Sequence, residues 1–270
     1  MCSGYSARPP APPLLKGSSG LIQIKSQREI ELMRQSGKLT AQARQLAASL
    51  TVPGATTEEI DREVKKFIES HGASPSFLGY NGFTGSVCIS VNEEVIHGIP
   101  GKRRIEDGDI VSLDLGAYQN GYHGDCATTI ATPSATPEDR ELIKITRQSF
   151  FEGLKFAKVG YRISDISWAI QQYVESCGYS VVRDFVGHGL GQKLHEAPEV
   201  PNFGRPGRGP RLVAGMTIAV EPMVNIGHQK VRILDDGWTV VTFDGSRSAH
   251  YENTILITSG EPEILTPEEE

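Results

Sequence analysis

The chain of 270 residues is short of cysteine, of long apolar runs and of basic charge, and each shortage removes a class of explanation. Cys2, Cys88, Cys126 and Cys177 are scattered without a C-x-x-C pair, which argues against a zinc-finger framework and agrees with a reducing compartment. No apolar stretch approaches the roughly 18 residues of a membrane span, so no membrane partner is expected. A net charge of −6 argues against a general nucleic-acid binder and leaves room only for a local basic patch. Acidic residues are missing altogether before Glu29. The leader contains "ARPPAPPLLKGSSG", whose Pro, Gly and Ser content reads as a flexible, polyproline-like extension over residues 1–24. Its P-x-x-P spacing also suits an aromatic groove, and its acid-poor, Ser-containing character leaves organelle import open.

What is present begins with a contradiction. "VSLDLGAYQNGYHGDCATTI" (residues 111–130) reads as two β-strands, yet it places Asp114 and Asp125 inside them. Aspartate is a poor strand former, and a buried carboxylate is costly unless paired or bound to metal. Asn120-Gly121 is a strong signal for a two-residue hairpin turn, because a type I′ turn needs positive φ at both central residues. With that turn, Asp125 pairs with Gly116 and Asp114 pairs with Ala127, so both carboxylates lie on one face as diagonal neighbours. Such a pair on rigid strands is either a surface accident or half of a metal site.

A faint internal repeat follows. "GATTEEIDREVKKFIESHG" (54–72) resembles "GYRISDISWAIQQYVESCG" (160–178) at a constant offset of 106. Ile60, Val64, Phe67 and Ile68 map onto Ile166, Ile170, Tyr173 and Val174, an apolar stripe that predicts two equivalent amphipathic helices. Thr57 and Ser164 are the expected N-caps, and Gly72 and Gly178 the expected residues just past the C-termini. Each segment is preceded by a further helical pattern. "DGDIVSLDLG" matches "AGMTIAVEPM" at an offset of 107, which maps Asp114 onto Glu221. Two helices followed by strands, twice, predict an α+β fold with a pseudo-twofold axis. Equivalent strands should then meet near the axis and bring Asp114 towards Glu221.

Further polar residues sit where structure alone does not ask for them. His97 lies beside a Gly-Ile-Pro turn, His188 and His195 lie in a Gly-rich stretch, and Glu252 opens an apolar strand next to His250. At this point residues 25 to about 260 resemble the type I methionine aminopeptidases. "DLGAYQNGYHGD", "GHGLGQKLHEAP", "AVEPMV" and "YENTILIT" occur in that family's order and spacing. The resemblance implies the pita-bread fold, an antiparallel sheet covered by two pairs of helices. It implies a catalytic domain over residues 25–265, in halves of about 25–135 and 136–265. It further implies that Asp114 holds one divalent ion, that His188 and Glu221 complete the shell of another, and that Asp125 and Glu252 are shared. His97 and His195 would contact the substrate, and Glu221 would act as general base. The implied reaction is attack of a metal-bridging hydroxide on the first peptide bond, removing N-terminal methionine when the second residue is small. Four carboxylates without cations would repel, whereas two divalent ions balance them. Oxygen-rich ligation with one imidazole suits Co, Mn, Fe or Zn.

The family's methionine pocket falls on Phe77, Tyr80, Phe83, Cys88 and Trp238, with Leu194 beside the histidine. Phe83 and Leu194 stand where relatives more often carry Tyr and Phe, His250 stands where Gln is common, and Phe203 departs from the usual motif ending. None of these is an expected ligand. No long insertion separates His195 from Glu221, which argues against the type II enzymes. The implied partners are the N-termini of nascent polypeptides, with transient ribosome association compatible. Nucleic acid is not an expected substrate, and a cytoplasmic monomer is expected. Two other readings share the fold: a proline-specific peptidase such as a prolidase, and a binding module that has lost its ligands. The aromatic–Cys pocket segment argues against the first, and five intact ligand positions argue against the second.

Overall fold

The computed structural model describes residues 20–268, so residues 1–19 of the expected N-terminal extension lie outside the described residues. Residues 20–26 run without regular structure into the first of four helices: α1 (Gln27–Leu50), α2 (Thr57–Ser70), α3 (Pro137–Leu154) and α4 (Ile163–Ser176). The repeat read in the sequence is a physical one. α2 and α4 each span 14 residues and correspond at the offset of 106. Both end alike: Gly72 and Gly178 take positive φ, and the next amide reaches back to Ile68 and Val174 respectively. This six-to-one bond satisfies a carbonyl that the helix end would leave orphaned.

The N-termini differ from expectation. Thr56, not Thr57, caps α2: its hydroxyl accepts from the Glu59 amide, while the Glu59 carboxylate accepts from the Thr56 amide at 2.8 Å. In α4 the cap position falls on Arg162, whose amide donates to the Asp165 carboxylate at 2.7 Å. Ser164 instead bonds the backbone of Arg208.

A nine-stranded sheet, antiparallel in every pairing, carries both halves. Its path runs Ser74–Pro75, Ile110–Gln119, Tyr122–Ala131, Glu252–Leu256, Thr217–Val220, Gly187–Gly189 and Glu196–Val200. Val87–Val91 also pairs with Ile110–Gln119, and Glu263–Ile264 pairs with Glu252–Leu256. The central hairpin holds the register its turn dictates over ten residue pairs, with Asn120 and Gly121 at φ 53° and 88°. One expectation is corrected. The equivalent strands Ile110–Gln119 and Thr217–Val220 do not meet, because Tyr122–Ala131 and Glu252–Leu256 lie between them. The halves instead meet through the hydrogen-bonded partners of those strands, Tyr122–Ala131 and Glu252–Leu256, which pair with each other.

Alternation assigns the two faces. Leu113, Leu115 and Ala117 join Ala43, Ile60, Val64 and Ile68 in one apolar core. Leu142, Ile166, Ile170 and Val174 pack with Ile218, Val220 and Ile255 in the equivalent core of the second half. The helices thus cover one face of the sheet, and period two turns Asp114 to the other.

Candidate active site and metal centre

The site follows from register. Cys88 pairs with Asp114, Asp114 with Ala127, and Ala127 with Glu252. Directly opposed residues share a face, so a thiol, a carboxylate, a methyl group and a second carboxylate form one row across four strands. Val220 pairs with Asn253, and Glu221 follows it at the level of Glu252. Asp125 stands two residues from Ala127 on the same face. His188 arrives from the adjacent strand, with Nε2 3.8 Å from Asp125 Oδ2 and 3.7 Å from Glu221 Oε1. Ligand atoms of Asp125, His188 and Glu252 all lie within 4.8 Å of one another.

Electrostatics make this cluster a demand for cations. Asp114 Oδ1, Asp125 Oδ1 and Glu252 Oε1 are buried without a hydrogen-bond partner. Burial pushes the Asp114 carboxyl up to about 7. Burial, then the neighbouring carboxylates, holds Asp125, Glu221 and Glu252 well above the ordinary range. Among the described residues, only His188 and His250 come within ion-pairing distance of the four. Both are kept neutral, since burial lowers them to about 4 and about 3. The described residues therefore supply the four with no compensating charge, and the orphaned oxygens fit divalent ions. His188 could ligate such an ion: its Nδ1 meets the Gly189 carbonyl at 3.0 Å, so Nδ1 carries the proton and Nε2 presents a lone pair to the carboxylates.

The remaining residues close around this centre. His195 Nδ1 lies 2.7 Å from the Tyr80 hydroxyl, and burial with the nearby His188, His97 and His123 lowers the imidazole to about 2. His97 adopts φ 60°, a left-handed conformation uncommon outside glycine, and burial lowers it to about 4. Phe77, Phe83, Cys88 and Leu194 form a buried apolar cluster with Tyr80, Ile99 and Trp238 packed against it. The Phe83 and Trp238 rings meet edge-on at 5.1 Å. All the residues put forward from sequence line one cavity of about 100 Å³: Phe77, Tyr80, Phe83, Cys88, His97, Asp114, Asp125, His188, His195, Glu221, Trp238 and Glu252. The same cavity is lined by Asn81, Ile96, Phe185 and Val186, which sequence reasoning missed. Phe185 meets the His97 ring edge-on at 5.7 Å, and its nearness to the Gly-His-Gly stretch was the only available signal. A second cavity of about 390 Å³ shares His195 and is walled in part by Lys25, Glu29, Tyr122 and Glu196.

The profile of metallopeptidase family M24 matches residues 31–259. A methionine aminopeptidase of Clostridium perfringens is 56% identical over 246 residues, covering 91% of this chain and 99% of the relative. The crystal structure of a methionine aminopeptidase from Thermotoga maritima superposes with a TM-score of 0.89 at 45% identity, covering 91% of this chain and 99% of that one. A prolidase from Pyrococcus furiosus is similar at lower identity, 25%, with a TM-score of 0.74; the match covers 92% of this chain and 66% of the prolidase.

Proposed function

As this chain belongs to metallopeptidase family M24 and removes N-terminal methionine from polypeptides, we propose how its residues share that task. Asp114, Asp125, His188, Glu221 and Glu252 would hold the divalent metal: Asp114 at one ion, His188 and Glu221 at a second, with Asp125 and Glu252 available to both. Co, Mn, Fe and Zn all suit this donor set. Bound there, the metal would supply Lewis-acid polarisation of the scissile carbonyl and would make a water more acidic. Glu221 would accept the proton of the attacking water. The methionine side chain enters among Phe77, Tyr80, Phe83, Cys88 and Trp238, where sulfur and aromatic surfaces match a thioether.

His195 is the donor to the oxygen that gains charge. It is neutral, so one ring nitrogen donates and the other accepts. With the Tyr80 O–H donating to Nδ1, the proton sits on Nε2 and is free to stabilise the developing oxyanion. His97 contacts the nitrogen of the peptide bond. The substrates are the N-termini of nascent chains whose second residue is small, because a bulky one would displace the carbonyl from the centre. The observation that carries this reading is the set of buried, unpartnered carboxylate oxygens on the floor of an apolar pocket. A hydrolysis panel tests it: Met-Ala-Ser should turn over well, and Met-Lys-Ser and Ala-Pro-Ala hardly at all. Comparable rates on Met-Ala-Ser and Met-Lys-Ser would remove the size restriction, and preference for Ala-Pro-Ala would overturn the pocket assignment.

A further inference from the structure

The segment ahead of the first helix carries a lysine that the reaction does not use. Lys25 is 7% exposed, and lysine is almost never buried unless paired. Its Nζ lies 2.7 Å from Glu196 Oε2, with the two side chains 5% and 9% exposed. The other Glu196 oxygen accepts the Lys193 amide at 3.1 Å. Lys25 is itself fixed, since its amide donates to the Gly215 carbonyl at 2.8 Å. Gly191 presses against the pair: a Cβ there would stand 2.6 Å from Lys25 Cε and 2.9 Å from Glu196 Oε1. The Gly191 carbonyl in turn accepts the His123 amide at 2.9 Å.

The loop from Gly191 to Glu196 is therefore gripped from its outer side, and His195 is the residue directly before the gripped carboxylate. On the inner side the His195 ring is held by Tyr80. We propose that Lys25 is a positioning residue: its ion pair with Glu196 sets where the His195 imidazole stands, so the strap of residues 20–26 is part of the active-site architecture. The inference rests on the donor role given to His195 above. An ion pair with a purely structural purpose would support the fold equally in the presence or absence of that imidazole, and this separates the two.

The test is a mutant cycle on the metal-loaded full chain, with kcat and KM measured on Met-Ala-Ser. Lys25→Met should lower kcat by about 10- to 10²-fold with KM changed less than about twofold, as a misplacement near 1 Å does. Lys25→Arg should recover most of the loss. On a His195→Ala background, Lys25→Met should change kcat by less than about twofold, because no ring remains to misplace. The same fold-loss in both backgrounds would overturn the proposal, as would a lower melting temperature with kcat intact. If His195→Ala alone leaves kcat unaltered, the donor role itself fails and the inference falls with it. Should Lys25→Met not yield folded protein, Glu196→Gln takes its place in the cycle, keeping the side-chain shape and the bond to Lys193.

Discussion

Glu252 is 2% exposed, stands at the end of the shared row and has one oxygen without a partner. Replacing it with Ala removes an oxygen donor and relieves part of the carboxylate repulsion, so the protein should fold while binding metal poorly. Glu252→Ala is expected to lose activity and to retain less metal by elemental analysis, with its far-UV circular dichroism unchanged. Retained metal and turnover would remove Glu252 from the centre. His195→Ala tests a different contribution, a donor aimed at charge that develops only in the transition state. Its kcat should fall about 10²- to 10³-fold with KM little changed; a fall in melting temperature with normal kcat would reveal a structural histidine. At this scale the charged residues were legible because a carboxylate inside a strand conflicts with propensity and burial. Phe185 and Ile96 were not legible, because an apolar side chain lining a pocket carries the same sequence pattern as one filling a core.

Between α2 and α4 the repeat makes a quantitative demand. Ile60 and Ile166 occupy equivalent positions and are 1% and 0% exposed beneath their respective halves of the sheet. Ile60→Ala and Ile166→Ala should each destabilise by about 2–5 kcal/mol, and by similar amounts, in chemical denaturation of the metal-free protein. Widely different values would mean that the two cores pack differently despite their common pattern. The helices were legible from period and from the glycines past their ends, where only positive φ completes the terminal hydrogen bonds. Their starts were less so. Thr56 and Thr57 offer the same hydroxyl, and only the Glu59 carboxylate reaching back to the Thr56 amide decides between them. Strand order was misjudged for a related reason. Offset and periodicity say which strands are equivalent, but hydrogen-bond partners across the axis are set by long-range pairing that no local pattern records.

For the molecule as a whole, the buried carboxylates tie stability to pH and metal together. The Asp114 carboxyl rises from 3.8 to about 7 on folding, so the metal-free folded state holds a proton that the unfolded chain has released across that window. Stability conferred by that proton is lost as pH rises from about 3.8 through about 7. Asp125, Glu221 and Glu252 are raised as well and act in the same direction. The imidazoles of His97, His188 and His195 are lowered and act oppositely, withdrawing stability as pH falls below about 6.5. Melting temperatures of chelator-treated protein should therefore decline as pH rises from 6.5 through about 7, and the gap to metal-loaded protein should widen; a constant gap would contradict the charge argument. The placement of the five candidate ligands also bears on kinetics. Asp114 and Asp125 belong to the first half of the chain, His188, Glu221 and Glu252 to the second, and the strand starting at Glu252 joins the halves by pairing with Tyr122–Ala131. No early, partly folded species can offer an ion its full coordination, because the halves must already be zipped together. Ions should then leave the refolding rate nearly untouched and act almost wholly as a brake on unfolding.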